Sequence, residues 1–192
     1  EYIGQHVLEG VTTFLARYAP EELPASSAQS QNKPIVEPVT DLSETVPARP
    51  PSFCTGCPER PLFAAMKMVQ QERGPLQVAG DIGCHLFGSL APFEIGGTTM
   101  GYGLGPASNA AFDGGGSQRT VSIIGDGGFW HNGLTSSVGN AVFNKSDGVI
   151  VVVDNFYSAA TGGQDVPSSR AENRSKSTRH PISAAVKGIG VE

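Results

Sequence analysis

The feature that most restricts how this chain can fold is a pair of strand-like runs, the largely apolar Thr120 to Ile124 and the wholly apolar Val149 to Val153, each cut off by small polar residues. The first ends at Gly125-Asp126-Gly127-Gly128 and the second at Asp154-Asn155, with a helix-like stretch from Asn132 to Phe143 between them. A strand that is apolar on both faces needs cover on both sides, and strands that alternate with helices pair in parallel. The sequence therefore predicts an α/β fold, a three-layer sandwich around a mostly parallel sheet. In such sheets ligands bind outside the carboxyl ends of the strands. The loops beginning at Gly80, Gly125 and Asp154 all lie at ends of that kind.

Elsewhere the pattern changes along the chain. Ile3, Val7, Val11, Phe14, Leu15 and Tyr18 fall near helical spacing between Tyr2 and Ala19, and Pro20 stops them. Seven of the fourteen prolines lie between Pro20 and Pro51, where no periodic apolar face exists, so that stretch reads as an extended linker. The expected organisation is a helical segment over 1–19, a proline-rich linker over 20–50 and an α/β domain over 51–192. Within the domain, Arg60 to Arg73 reads as a helix and Gln77 to Ala79 as a short strand running into the loop Gly80-Asp81-Ile82-Gly83-Cys84-His85. A small-residue helix is expected from Pro106 to Phe112, and another helix from Pro181. A βα unit without its next strand leaves a sheet edge open, so the domain is expected to continue past Glu192 in a longer polypeptide.

Composition excludes some partners. A net charge of −5 with scattered Lys and Arg offers no basic field to a nucleic acid. No run approaches the roughly 18 apolar residues of a membrane span, and Glu1 to Gly10 carries no signal pattern, which points to the cytoplasm. Three cysteines cannot make a complete disulfide framework, and Cys54 and Cys57 stand in C-x-x-C spacing. In a cytosolic chain that spacing points to metal or redox chemistry. A zinc site, a local Cys54–Cys57 disulfide and simple packing of the thiols are open alternatives.

The strongest chemical signal joins the two strand ends. A hard divalent cation such as Mg2+ needs oxygen ligands in a near-octahedral array. Asp126 and Asn155 can each supply one from adjacent strand ends, and the backbone carbonyl of Tyr157 a third, leaving room for two phosphate oxygens and a water. Glycines 125, 127 and 128 would let a diphosphate reach backbone N–H groups at the start of the following helix. His85, in the loop after Gly83 and Cys84, is placed to hydrogen-bond the same ligand. Trp130 and His131 read as packing and capping residues.

Gly125-Asp126-Gly127 followed by Asn155 resembles the thiamine diphosphate signature of decarboxylases, transketolases and 2-oxoacid oxidoreductases. The continuation Asn155 to Gln164, with Thr161-Gly162-Gly163-Gln164, is similar to the 2-oxoacid:ferredoxin oxidoreductases. Cys54-Thr55-Gly56-Cys57-Pro58 and Gly80-Asp81-Ile82-Gly83-Cys84 resemble segments of the same family, especially of its indolepyruvate branch. Three positions, Thr55, Glu59 and Ala160, depart from the family pattern.

The resemblance implies the diphosphate-type half of the thiamine diphosphate-binding fold. Its cofactor contacts would be Gly83, Cys84, His85, Gly125, Asp126, Gly127, Gly128, Asn155, Tyr157, Thr161 and Gly162, with Mg2+ on Asp126, Asn155 and the Tyr157 carbonyl. Cys54, Cys57 and Cys84 would be three of the four ligands of a [4Fe-4S] cluster in the intact enzyme. The Glu that activates the aminopyrimidine would come from a separate domain, and no Glu here is assigned to it. The implied reaction is CoA-dependent oxidative decarboxylation of an arylpyruvate such as indolepyruvate, with electrons passing to ferredoxin and a second oxidoreductase subunit or domain taking part. The rivals are a non-oxidative thiamine diphosphate enzyme (a decarboxylase or acetolactate-type synthase) and a non-catalytic domain that keeps the fold.

Overall fold

The computed structural model describes residues 4–22, 50–112 and 119–191, with side chains from residue 8 onward. These belong to two compact units, Glu1–Arg49 and Pro50–Glu192. In the first, helix α1 (Gly4–Tyr18) forms where the 3.6-residue spacing predicts it, and a single 3-10 turn, Pro20–Glu22, follows. Its apolar residues Leu8, Val11, Phe14 and Tyr18 are exposed. Most of the expected linker lies outside the described residues.

The second unit is built on four parallel strands: β1 (Val78–Gly80), β2 (Thr98–Thr99), β3 (Val121–Gly125) and β4 (Val149–Val153), in the order β2-β1-β3-β4. Gly80 pairs with Ile123, and Gly125 with Val153, so β3 and β4 end level with each other and β1 ends two residues short of them. From β1 the chain moves outward to β2 and then returns to the other side of β1. The order therefore reverses between β1 and β3, and the crevice outside those two ends is where an open α/β sheet takes its ligand.

Alternation along the strands sorts the core into two layers. Val78 and Ile123 join Phe53, Phe63, Met66 and Ile95 on one face, with Val121, Val151 and Val153 packed against them. Helix α2 (Glu59–Arg73) covers that face, burying Glu59, Phe63 and Met66 at spacings of four and three, which form one helical stripe. Ile124 joins Phe129 and Val138 on the opposite face, together with Ile150, Val152 and residues of α4 (Ile182–Gly188). Helices on both faces of a parallel sheet make the expected three-layer sandwich.

Several local expectations are corrected. Gly125-Asp126-Gly127-Gly128 is not a separate turn before a helix at Asn132: helix α3, residues 126–143, begins on Asp126 itself. It runs through Asp126–Gly128, a wide π-helical stretch Phe129–Gly139 and a last turn Asn140–Phe143. Five polar or small residues within 132–137 hid its apolar side, which is carried by Phe129, Leu134 and Val138. The loop after β1 winds into a 3-10 segment at Cys84–Ser89, and Pro106–Ala111 is 3-10 rather than α-helical. The two-residue strand β2 was not foreseen, because Thr98 and Thr99 sit among glycines. Finally, β4 is not buried on both faces. It is the outer strand of the described sheet, and Val149 is 42 % exposed.

Candidate functional site

β3 delivers Asp126 to the strand exit and α3 starts on it, leaving it 2 % exposed. Its Oδ1 accepts the N–H of Gly127 at 2.7 Å and its Oδ2 the N–H of Tyr157 at 3.1 Å. Asn155 leaves the end of β4 toward the same point. One terminal atom of its amide lies 2.6 Å from the Tyr157 carbonyl oxygen and 3.2 and 3.3 Å from the two carboxylate oxygens of Asp126. If that atom is nitrogen, a single amide serves three acceptors. If it is oxygen, four oxygens face one another with only the N–H groups of Gly127 and Tyr157 among them, an arrangement that calls for a cation.

A backbone kink makes this convergence possible. Phe156 adopts φ 71°, a left-handed conformation rarely taken by a bulky residue, which turns both the N–H and the C=O of Tyr157 back toward Asp126 and Asn155. Such strain costs about 1–3 kcal/mol and persists only where neighbours fix it. Here the Arg170 guanidinium lies 3.6 Å over the Phe156 ring, and the Ser169 hydroxyl donates to the Phe156 carbonyl at 2.7 Å.

The glycines after Asp126 have packing roles. A Cβ on Gly127 would come within 2.4 Å of the Tyr102 hydroxyl and 2.6 Å of Ser158 Oγ, and one on Gly128 within 2.3 Å of Asp81 Oδ2. Asp81 is fully buried and accepts the N–H groups of Gly103, Leu104 and Gly105 at 3.0, 3.1 and 3.1 Å. Desolvation raises its pKa against these hydrogen bonds. The anchor holds the loop that carries Tyr102, whose hydroxyl bonds Ser158 Oγ at 2.8 Å. Ser158 continues to Thr161, and the consecutive positive φ values of Gly162 and Gly163, 113° and 76°, allow Ser158 and Gln164 to pair across that tight loop.

Around this point lies a small cleft of about 30 Å³ that opens to solvent. Of the residues expected from sequence, Gly83, Cys84, His85, Gly125, Asp126, Gly127, Gly128 and Asn155 line it. Tyr157 reaches the convergence through its backbone only, its side chain being 46 % exposed. Thr161 lines a neighbouring hollow with Tyr102 and His131, and Gly162 lines neither. His131, exposed at the surface, lies near Tyr102 with ring centroids 5.1 Å apart, and Trp130 donates to Ser168 Oγ at 3.0 Å.

The three cysteines are free thiols, so the local disulfide left open by the sequence is not formed. Cys54 and Cys57 flank a turn, with Cys57 N–H donating to Cys54 O at 3.1 Å, and the Arg60 guanidinium binds the carbonyls of Cys54 and Phe53. Cys84 lines the cleft, and Cys54 and Cys57 do not. Burial, then the charge of Glu59, then the neighbouring thiols push the Cys84 thiol upward. Among the described residues no group of three His, Cys, Asp or Glu side chains is placed to hold a metal.

Sequence reasoning missed Glu59. It is 5 % exposed, lines the cleft, and has an Oε2 without a hydrogen-bond partner. Its signal was its place one turn ahead of Phe63 on the apolar stripe of α2. Burial, then the charge of Asp126, lifts Glu59 to about 7. Burial also lifts Asp126 to about 6, opposed by the Gly127 N–H and reinforced by the adjacent Asp154 carboxyl. Among the described residues no Lys or Arg lines the cleft. His85 is 5 % exposed with its Nε2 unpartnered, and burial lowers it to about 4, so it is neutral and supplies no positive charge. The cleft thus gathers buried oxygens and lacks cations, which suits a ligand that brings positive charge with it.

Residues 81–192 match the family described as thiamine pyrophosphate enzyme, C-terminal TPP binding domain. The chain belongs to that family. The matched region begins at the Asp81 anchor and takes in both strand exits. Among curated proteins the chain is similar to the indolepyruvate oxidoreductase subunit IorA of Thermococcus kodakarensis, 33 % identical over 100 % of this chain and 30 % of the relative. The protein of the same name from Methanothermobacter thermautotrophicus is 32 % identical over 96 % of this chain and 30 % of its own length. That from Methanothermobacter marburgensis is 36 % identical over 64 % of this chain and 20 % of the relative. The chain therefore spans about 30 % of the length of the first two relatives. No solved structure matches it. Among the described residues, no helix is long and apolar enough to cross a membrane.

Proposed function

We propose that this chain forms the diphosphate- and Mg2+-binding half of a thiamine diphosphate site in an indolepyruvate-type 2-oxoacid:ferredoxin oxidoreductase. The observation that carries it is the meeting of the Asp126 carboxylate and the Tyr157 carbonyl within 2.6–3.3 Å of one side-chain amide atom of Asn155, at the exits of β3 and β4. Asp126, Asn155 and Tyr157 would hold Mg2+, and the N–H groups opening α3 would meet the diphosphate. Gly83 and His85 face the rest of the cofactor from the loop after β1. The bound cofactor supplies the carbon nucleophile and electron sink that decarboxylation of a 2-oxoacid needs. The chain's part is to position it and to keep the surroundings dry and oxygen-rich.

The names of the relatives, indolepyruvate oxidoreductase, support an oxidative reaction on an arylpyruvate such as indolepyruvate. CoA-dependent decarboxylation with electrons leaving to ferredoxin is the finer reading that the resemblance of the sequence motifs implies. The pyrimidine-binding domain and a second oxidoreductase subunit or domain would complete the enzyme. Free thiols fit a reducing cytoplasm. Cys54, Cys57 and Cys84 would serve a [4Fe-4S] cluster only with a fourth ligand from elsewhere, and in this conformation only Cys84 faces the cleft. The units proposed for the longer protein are a helical segment over 1–19, a linker over 20–50 and the cofactor domain over 51–192.

Calorimetry of thiamine diphosphate with and without Mg2+ tests the proposal. Binding is expected to require the metal and to disappear in Asp126→Ala. Metal-independent binding, or an Asp126→Ala variant that binds like the parent, would overturn it.

A further inference from the structure

Glu59 occupies an unusual position for an acid. It opens helix α2, where a negative charge favours the helix dipole, but that role is satisfied by an exposed carboxylate. Here the side chain lies on the buried stripe with Phe63 and Met66, is 5 % exposed, and leaves Oε2 without any hydrogen-bond partner while lining the cleft. A buried carboxylate with an orphaned oxygen is costly unless a cation or donor meets it. Among the described residues no Lys or Arg lines the cleft, and Glu59 stands outside the oxygen set formed by Asp126, Asn155 and Tyr157.

Bound with its metal, thiamine diphosphate brings two cationic groups to such a site. Its divalent metal goes with the diphosphate, and its thiazolium ring is permanently cationic and tethered to that diphosphate by a two-carbon link. A ligand anchored by its diphosphate at the exits of β3 and β4 must place that ring within a short tether of Asp126, in a cleft where Glu59 is the acid without a partner. We propose that the Glu59 carboxylate is the counter-charge for the thiazolium ring, a contact that positions the organic end of the cofactor. The inference rests on the thiamine diphosphate reading given above.

The test is calorimetry on the 192-residue chain with three probes, each with Mg2+: thiamine diphosphate, inorganic diphosphate, and thiamine thiazolone diphosphate, whose ring is neutral. Glu59→Gln, similar in shape but uncharged, is expected to lose about tenfold in affinity for thiamine diphosphate, as one charge-assisted contact warrants. It should keep its affinity for inorganic diphosphate and for the thiazolone within about twofold to threefold, these contacts being unchanged. Glu59→Asp is expected to recover part of the loss, and urea midpoints of both variants show whether the fold is intact. Equal losses with all three probes, or no loss with any, would overturn the proposal and leave Glu59 a helix-capping or packing residue. If the parent chain binds thiamine diphosphate no better than inorganic diphosphate, or binds neither, the cofactor reading itself fails and the inference falls with it.

Discussion

Replacing Asp81 separates the loop anchor from the metal site. Its carboxylate takes three backbone N–H groups, with Oδ1 bonded to Leu104 and Gly105 and Oδ2 to Gly103. Asp81→Asn keeps one oxygen for two of them and turns an amide donor toward the third, leaving the Gly103 N–H unsatisfied. A buried donor without a partner costs about 1–3 kcal/mol, and the relief of burying a neutral amide instead of a desolvated carboxylate returns part of that. The expected loss is about 2 kcal/mol. Asp81→Ala orphans all three donors, and the expected loss rises to about 4 kcal/mol, a large share of the 5–15 kcal/mol that holds a domain together. Urea unfolding gives both numbers, with a lower midpoint and an unchanged slope. Cofactor binding should weaken in step, because the anchored loop carries Tyr102 to Ser158 beside Gly127. An Asp81→Ala variant within about 1 kcal/mol of the parent would refute the role assigned to these bonds.

Further outcomes follow from neighbouring features. Gly103→Ala would place a Cβ 2.7 Å from the Gly128 carbonyl oxygen at φ +83°, and a loss of about 3 kcal/mol is expected from strain and overpacking together, read by the same urea titration. His85 titrates at about 4 in the folded chain against 6.5 unfolded. The folded state therefore binds fewer protons, and the His85 contribution is complete above pH 6.5 and lost as pH falls toward 4, by up to about 3 kcal/mol. Glu59 and Asp126, both raised, run the opposite way, so the test is the difference in midpoint between the parent and His85→Asn across that window. A constant difference would contradict it. Arg119→Ala removes an ion pair whose side chains are 65 % and 78 % exposed, and stability should change by less than about 0.5 kcal/mol.

The layers and the strand exits were legible because two long-range rules act locally on the sequence. A largely apolar run such as Thr120–Ile124 demands a covered sheet, and small polar residues after it mark the ligand edge. The apolar run Val149–Val153 carried the same signal although it lies at the edge of the described sheet. Asp126 and Asn155 could be placed beside each other from strand adjacency alone. Glu59 could not, since its burial depends on where the N-terminus of α2 meets the cleft, and an acid at a helix start looks like an ordinary dipole partner. The left-handed Phe156 was equally hidden: nothing about a phenylalanine signals positive φ, and the conformation is imposed by Arg170 and Ser169 from later in the chain. The glycines at 127 and 128 were read as making room for a ligand, and the room is also taken by Tyr102, Ser158 and Asp81. Such packing partners are distant in sequence and leave no local pattern.

The most direct measurement is a crystal of the chain soaked with Mn2+ and thiamine diphosphate, read at the manganese anomalous edge. A single strong peak about 2 Å from a carboxylate oxygen of Asp126, the side-chain oxygen of Asn155 and the carbonyl oxygen of Tyr157 is predicted. A metal bound elsewhere, or an Asn155 amide with its nitrogen toward Asp126 when the cofactor is present, would contradict the account.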